Sequence, residues 1–420
     1  MKKRVALITH EMSLVGGLPT MIRFLHRTLL QSGRYEPELI SLATSASDEA
    51  SLQLRRPASW FQEPEIQQLA WHEFVFTHVG AWGSELEFQR YRPRRNLTEL
   101  LKNYDLLQFV VGCPPWVCVA EGVDRPILLW TATTTRGDRE SVMRKGSMPR
   151  QAWSSLMVPI TERYERRAIE MADGIFALSE YTRAILEPIA GRKRVVLAPC
   201  GVDTNRFRPA AKRGSDYVIC VARLSDPRKN VDLLLRAYAL LQEMAGNVPD
   251  LFLIGDAPSE EARLRLQTMG LADRVHLLGP KQGEELAEFY RNASFFVLSS
   301  DEEGLAIVIL EAMASGLAVV STDCGGPATA ITPGRTGFLT PVGDARALAE
   351  AMGRLVSEPE LRDQFGREGR KVVEERFSLE ATGDVFLKVY DKLFNEQAPE
   401  PLEQCDWSGS LATSPAAANK

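Results

Sequence analysis

Short apolar runs alternate with amphipathic stretches of helical period along most of this chain, and the alternation occurs twice. The first series runs RVALIT (4–9), YEPELISL (35–42), YDLLQFVV (104–111), PILLWTA (126–132) and GIFALS (174–179), with helical patterns at 19–30 and 148–172. RVVLAPCGVD (194–203) ends in Pro and Gly, and FRPAAKRGSD (207–216) reads as a polar linker. The second series follows as YVICVA (217–222), DLFLIG (250–255), RVHLLG (274–279), SFFVLSS (294–300) and LAVVST (317–322). Helices at 231–244, 259–270, 284–291 and 305–315 separate these runs, and three more follow at 344–356, 359–376 and 378–396. Strands this short, each followed by a helix, pair in parallel through crossovers. The spacing therefore predicts an α/β chain with two doubly wound, Rossmann-like parallel sheets facing each other across a deep interdomain cleft. The expected domains are 1–206 and 207–377. Residues 44–70 read as polar and irregular, and 398–420 as a Pro- and Ala-rich tail that cannot order itself.

Charge and composition exclude several classes. The 420 residues carry 50 basic and 55 acidic side chains, a net −5, which argues against a general nucleic-acid coat. The balance is uneven: residues 1–210 hold 28 basic and 23 acidic side chains, and the remainder holds 22 and 32. No apolar run is long enough to span a bilayer, and the N-terminal run is too short for a signal-peptide core. The six cysteines form no CxxC pair and the five histidines no HxxxH pattern. A cytoplasmic protein with reduced thiols and no metal site is the expectation. No Asp-x-Asp, the usual dicarboxylate grip on a metal-bound nucleotide, occurs.

In parallel sheets of this kind ligands bind at the carboxyl ends of the strands, and four such ends carry suggestive residues. Gly16-Gly17 follows the first strand and precedes a helix, where bare backbone can approach an anion; a plain tight turn is the alternative. ARLSDPRKN (222–230) places Arg223 and Lys229 six residues apart across a turn, a spacing that can flank a diphosphate or decorate a solvated loop. DEEGLAIVILEAMASG (301–316) holds Glu303 and Glu311 in an E-x7-E spacing. Eight helical residues place the second carboxylate about 80° beyond two full turns from the first. Gly304 is read as opening that helix, with its first N–H groups aimed at the cleft. CGGPATAI (324–331) repeats the Gly-Gly device.

Taken in this order, Arg223 and Lys229, the EGLAIVILEAMASG segment, the following Gly-Gly, TGFLTPVGD (336–344) and APCGVDTNRFRP (198–209) resemble the donor half and interdomain segment of retaining GT-B glycosyltransferases of family 4. The resemblance implies transfer of a sugar, with retention, from a UDP-sugar or GDP-sugar donor to a hydroxyl acceptor in polysaccharide or glycolipid synthesis, without metal or other cofactor. It implies that Arg223 and Lys229 neutralise the leaving diphosphate and that Glu303 contacts the sugar hydroxyls. Glu311 would hold the ribose, and Gly304, Leu305 and Ala306 would offer backbone N–H groups. The loops at Gly255 and at Gly279–Lys281 would flank the base, with Gly16 and Gly17 closing over the phosphates. The last helix, with Phe386, Val389, Tyr390, Leu393 and Phe394 on one face, would cross back to complete the first domain.

Three departures from the family stand out. WTATTTRGD (130–138) lacks the His often found there, Gln108 stands where another His is common, and Thr329 replaces a Glu after the second Gly-Gly. Thr133, Thr134, Arg136 and Asp138 are candidates for the acceptor side. Residues 136–167 hold eight basic and four acidic side chains, consistent either with peripheral contact with an anionic membrane or with a solvated face. A non-hydrolysing nucleotide-sugar epimerase, a sugar phosphorylase and a non-catalytic nucleotide-sugar-binding protein are the rival readings.

Overall fold

In the computed structural model the described residues build one sheet of eight strands and one of six. The structure describes residues 2–10, 16–56, 60, 62–71, 74–139, 148–191, 193, 195–211 and 216–394. The expected tail at 398–420, residues 212–215 of the linker and 140–147 of the basic stretch lie outside them.

The first sheet comprises β1 (Lys3–Thr9), β2 (Tyr35–Leu42), β3 (Ile66–Trp71), β4 (Phe74–Val79), β5 (Leu106–Val111), β6 (Ile127–Thr131), β7 (Gly174–Ala177) and β8 (Val195–Leu197). Their spatial order is β3-β4-β2-β1-β5-β6-β7-β8. The helices of this half are α1 (Gly17–Gln31), α2 (Glu87–Arg90), α3 (Arg95–Leu101), α4 (Met148–Met171) and α5 (Glu180–Ala190). The second sheet, in the order β11-β10-β9-β12-β13-β14, comprises β9 (Tyr217–Val221), β10 (Asp250–Ile254), β11 (Val275–Leu277), β12 (Phe295–Leu298), β13 (Ala318–Thr322) and β14 (Gly337–Thr340). Its helices are α6 (Val231–Ala245), α7 (Glu260–Thr268), α8 (Gly283–Asn292), α9 (Ile307–Ala314), α10 (Ala345–Ser357) and α11 (Pro359–Arg376), before the terminal α12 (Leu379–Phe394).

Inner strands are covered by helices on both faces, so they are apolar throughout and readable from sequence. Val5, Ala6, Leu7 and Ile8 of β1 are all 0% exposed. The irregular reading of 44–70 is corrected at its end: β3 begins at Ile66 and runs antiparallel to β4. As an edge strand it leaves Ile66, Gln68 and Leu69 exposed, so the buried apolar signature is missing.

Strand order reverses between β1 and β5 in the first sheet and between β9 and β12 in the second. At such switch points the flanking helices lie on opposite faces, which opens a crevice at the carboxyl edge. The two carboxyl edges meet: a Cβ on Gly304, beyond β12, would lie 3.1 Å from the Ala132 carbonyl oxygen, just beyond β6.

The chain passes between halves twice, and the passages lie side by side. The Val202 N–H donates to the Phe377 carbonyl at 2.8 Å. Gly201 allows this approach, because a Cβ there would sit 2.3 Å from Thr382 Oγ1 and 2.7 Å from the Phe24 ring. Beyond the second passage α12 packs on the first sheet. Phe386 is fully buried, with ring centroids 4.6 Å from Trp130, 4.6 Å from Phe176 and 5.9 Å from Phe24. The Tyr390 hydroxyl donates to Gln108 Oε1 at 2.8 Å. Gln108, singled out as a departure, is thus a wholly buried pin for the terminal helix.

Candidate functional site

The loops after β9 and β12, on either side of the second switch point, are stapled together. Asp226 caps the 3-10 turn Pro227–Lys229 through the Arg228 N–H. The Asp301 N–H donates to the Arg228 carbonyl at 2.7 Å, and Ser299 Oγ to the Lys229 carbonyl at 2.9 Å. Asn230, in the left-handed region at φ 45°, caps α6 and donates to Asp301 at 2.7 Å. This framework brings Lys229 Nζ to 2.5 Å from Glu303 Oε1, which also accepts Ser300 Oγ at 2.6 Å. The pair is nearly closed off from water, with side chains 15% and 9% exposed. A charge pair so desolvated is poised for exchange: an incoming anion can replace Glu303 on Lys229, and hydroxyls can replace Lys229 on Glu303.

The remaining residues read from the sequence are placed at different distances from this pair. Arg223 is bonded to Asp226 at 3.2 Å, on the same loop, and is 39% exposed. Gly255 approaches this loop so closely that a Cβ would lie 1.8 Å from the Ala222 carbonyl oxygen, and its N–H donates to the Gly279 carbonyl at 3.2 Å. The ends of β9, β10 and β11 therefore stack. Lys281 turns to Glu285 at 2.6 Å instead. On the first half, Gly16 stands at φ 150° before α1, and a Cβ on Gly17 would meet nothing within 4 Å.

The helix carrying the second glutamate starts later than expected. It begins at Ile307, so Gly304, Leu305 and Ala306 precede it and Gly304 does not open it. The cause is Ala306, which takes a left-handed conformation at φ 62° and breaks the helix at that point. The Gly-Gly loop packs on this bend: a Cβ on Gly326 would lie 2.5 Å from the Gly304 carbonyl carbon, and the Gly326 N–H donates to the Glu303 carbonyl at 2.9 Å. Glu311 accepts the Tyr290 hydroxyl at 3.0 Å. Burial pushes its carboxyl up to about 7, against the opposing pull of Tyr290, Arg206 and Arg23.

Contacts from the first half complete the junction. Thr329 Oγ1 accepts the Glu180 N–H at 3.1 Å, so this departure ties the second half to the start of α5. The Tyr181 ring covers Gly325, where a Cβ would lie 3.0 Å from it. Arg228 Nη1 lies 4.0 Å from Asp138 Oδ1. Sequence reasoning missed Arg228, Glu302 and Tyr181, because nothing local distinguishes them from other loop residues.

The segment bearing Asp138 rests on two acids, Glu165, which is buried, and Glu87, which is partly exposed. Glu165 of α4 accepts the Thr135 N–H at 3.0 Å, and Glu87 of α2 pairs with Arg139. Burial pushes the Glu165 carboxyl from 4.5 up to about 7. The folded state then holds that proton more tightly than the unfolded chain does between those values. This contribution to stability is therefore lost as pH rises from about 4.5 to about 7. Glu165→Gln keeps an acceptor oxygen but removes the titration. It is expected to flatten the fall in unfolding free energy by up to about 1.4 kcal/mol per pH unit. Urea titrations across that interval check it; an unchanged slope refutes it.

Comparison with known proteins bears on what such a site serves. The family described as "Glycosyl transferases group 1" matches residues 202–372, and "Glycosyltransferase Family 4" matches residues 15–206. A GDP-mannose-dependent alpha-(1-6)-phosphatidylinositol monomannoside mannosyltransferase of Mycolicibacterium smegmatis is 31% identical over 271 residues, 59% of this chain and 69% of that protein. A D-inositol 3-phosphate glycosyltransferase of Nocardia farcinica is 30% identical over 63% of this chain and 60% of its own length. An exopolysaccharide phosphotransferase of Streptomyces coelicolor is 33% identical over 53% of this chain, but the match spans 23% of that longer protein. Among solved structures, sucrose-phosphate synthase from Thermosynechococcus elongatus superposes with a TM-score of 0.72 at 22% identity, over 94% of this chain and 99% of that one. Anabaena HepE in complex with UDP and glucose gives 0.69 at 15% identity, over 93% and 100%. At these identities the two structural likenesses speak to the fold.

Proposed function

The chain belongs to glycosyltransferase family 4, the group 1 glycosyl transferases of GT-B fold, and from that membership we propose that it moves a sugar, with retention, from a UDP- or GDP-sugar to a hydroxyl acceptor. The observation that carries this reading is the Lys229–Glu303 pair at the β9/β12 switch point. Nucleotide-diphosphate departure builds negative charge, and a preorganised, desolvated cation stabilises it. In the proposed reaction Lys229 passes from Glu303 to the diphosphate, with Arg223 as its second cation. Glu303, released, accepts the sugar hydroxyls. The bond from the anomeric carbon to the phosphate oxygen breaks, the acceptor oxygen bonds the same face, and its proton goes to the departing phosphate.

Glu311 would hold the ribose, and Gly16, Gly17, Gly255, Gly279, Lys281, Gly304, Leu305 and Ala306 would line the nucleotide. Support for a nucleotide sugar comes from the relatives named for GDP-mannose and from HepE bound to UDP and glucose. No metal enters this mechanism, since the cations do the neutralising. The same reading includes peripheral contact with an anionic membrane through α4, where Met148, Trp153 and Leu156 are exposed ahead of the exposed Arg163 and Arg166. No described helix is long and apolar enough to cross a membrane.

A panel of nucleotide sugars tests the proposal by nucleotide release and thermal shift. One donor is expected to stabilise the protein and turn over equally with and without EDTA. Silence across the panel removes the reading, and a strict metal requirement removes this mechanism. Flotation with anionic vesicles tests the membrane contact, and failure to float removes it.

A further inference from the structure

The segment after β6 is built to present one carboxylate to the other half of the molecule. Its backbone is held from beneath by Glu165, through the Thr135 N–H at 3.0 Å, and by the Arg139–Glu87 pair, whose Glu87 also accepts the Tyr91 hydroxyl at 2.8 Å. Gly137 makes the turn tight: a Cβ there would lie 2.4 Å from Thr133 Oγ1 and 3.5 Å from Glu302 Oε1 across the junction. The next residue, Asp138, keeps 54% of its side chain accessible. Among the described residues Arg228 is its one ion-pair partner, at the long distance of 4.0 Å, and no donor hydrogen-bonds to its carboxylate. Arg228 is itself held at 2.9 Å by Asp226, which also binds Arg223 at 3.2 Å. The next residue along the chain is Lys229, bonded to Glu303. An accessible, under-engaged carboxylate on a rigid base thus faces the loop assigned to the leaving diphosphate.

Resting on the function proposed above, we propose that Asp138 is the acceptor-binding carboxylate, which takes the hydrogen bond of the attacking hydroxyl. Arg228 is the positioning residue that turns it toward the Lys229–Glu303 pair. The acceptor class is a polyol presenting a neutral hydroxyl to Asp138, whose own carboxylate would repel an anionic group at that point. The proton of the hydroxyl still leaves on the departing phosphate, so Asp138 orients the nucleophile and ends the reaction unprotonated.

The test follows nucleotide release from UDP-glucose and GDP-mannose, in water alone and with glycerol, myo-inositol or methyl α-D-mannoside. Wild-type protein that releases nucleotide under none of these conditions overturns the underlying function, and this control is read first. Given wild-type turnover, Asp138→Asn is expected to lower polyol-dependent release by about tenfold or more. The thermal shift produced by donor should stay close to that of wild type, because the donor half is untouched. Arg228→Gln is expected to raise the KM for polyol without raising that for donor, and Arg228→Lys to restore it in part. Polyol-dependent release within about twofold of wild type in Asp138→Asn overturns the proposal. So does a loss of the donor-induced thermal shift together with transfer, since that marks the Asp138–Arg228 contact as structural support alone.

Discussion

Lys229→Ala is expected to lower sugar transfer about 10²–10³-fold, equivalent to about 3–4 kcal/mol of transition-state stabilisation. The size follows from where the ammonium sits. It is 15% exposed and bonded to a carboxylate that is 9% exposed, so water is poorly placed to take over its role. In the proposed reaction its removal withdraws charge from the leaving diphosphate, and in the fold it leaves Glu303 with the Ser300 hydroxyl as a donor. The loss should fall on kcat/KM with every donor that the protein accepts. Lys229→Arg recovers part of it, because the charge returns but the planar fork does not match the single bond to Glu303. Steady-state nucleotide release measures the effect. Transfer within about twofold of wild type would remove Lys229 from the donor site.

Phe386→Ala is expected to destabilise the first half of the molecule by about 3–5 kcal/mol, although the residue lies near the end of the described chain. Its ring is fully buried against Trp130, Phe176 and Phe24, residues from β6, β7 and α1. Truncation opens a cavity among rigid aromatic neighbours that cannot collapse to fill it. Denaturant titrations followed by tryptophan fluorescence, to which Trp130 with its ring centroid 4.6 Å away contributes among the seven tryptophans of the chain, report the change. The transition should move to lower denaturant. An unmoved transition would mean that α12 is dispensable to the first sheet.

The two expectations draw on different kinds of information. The E-x7-E spacing and the cations after β9 were legible because each lies within one strand–loop–helix unit, whose period and end signals are local. Most strands of both sheets were legible for the same reason, since burial on both faces makes them apolar along their length, but β4 and β14 were not read as strands. The edge strand β3 was not legible either, because most of its length faces water and its Gln67 and Gln68 look like loop residues. The start of α9 was misread by a few residues, since no propensity marks Ala306 for a left-handed conformation; the packing of Gly326 against Gly304 accompanies it.

Two departures from the family gained a physical role only in three dimensions. Gln108 and Tyr390 are 282 positions apart yet share a hydrogen bond of 2.8 Å. Thr329 bonds the Glu180 N–H across 149 positions. In sequence each reads as a missing group, and in the fold each is a tie between distant segments. Asp138 and Arg228 belong to the same class, since their approach depends on how the two sheets meet.

Residue order alone carried the fold class, most of the two series of strands and the residues at their carboxyl ends, because periodicity and turn residues act over a few neighbours. Which cation meets which carboxylate, where α9 begins and which helix closes the first sheet depended on the assembled molecule. Those choices are made by contacts between segments far apart in the chain, whose energies come from packing and desolvation that no local pattern encodes.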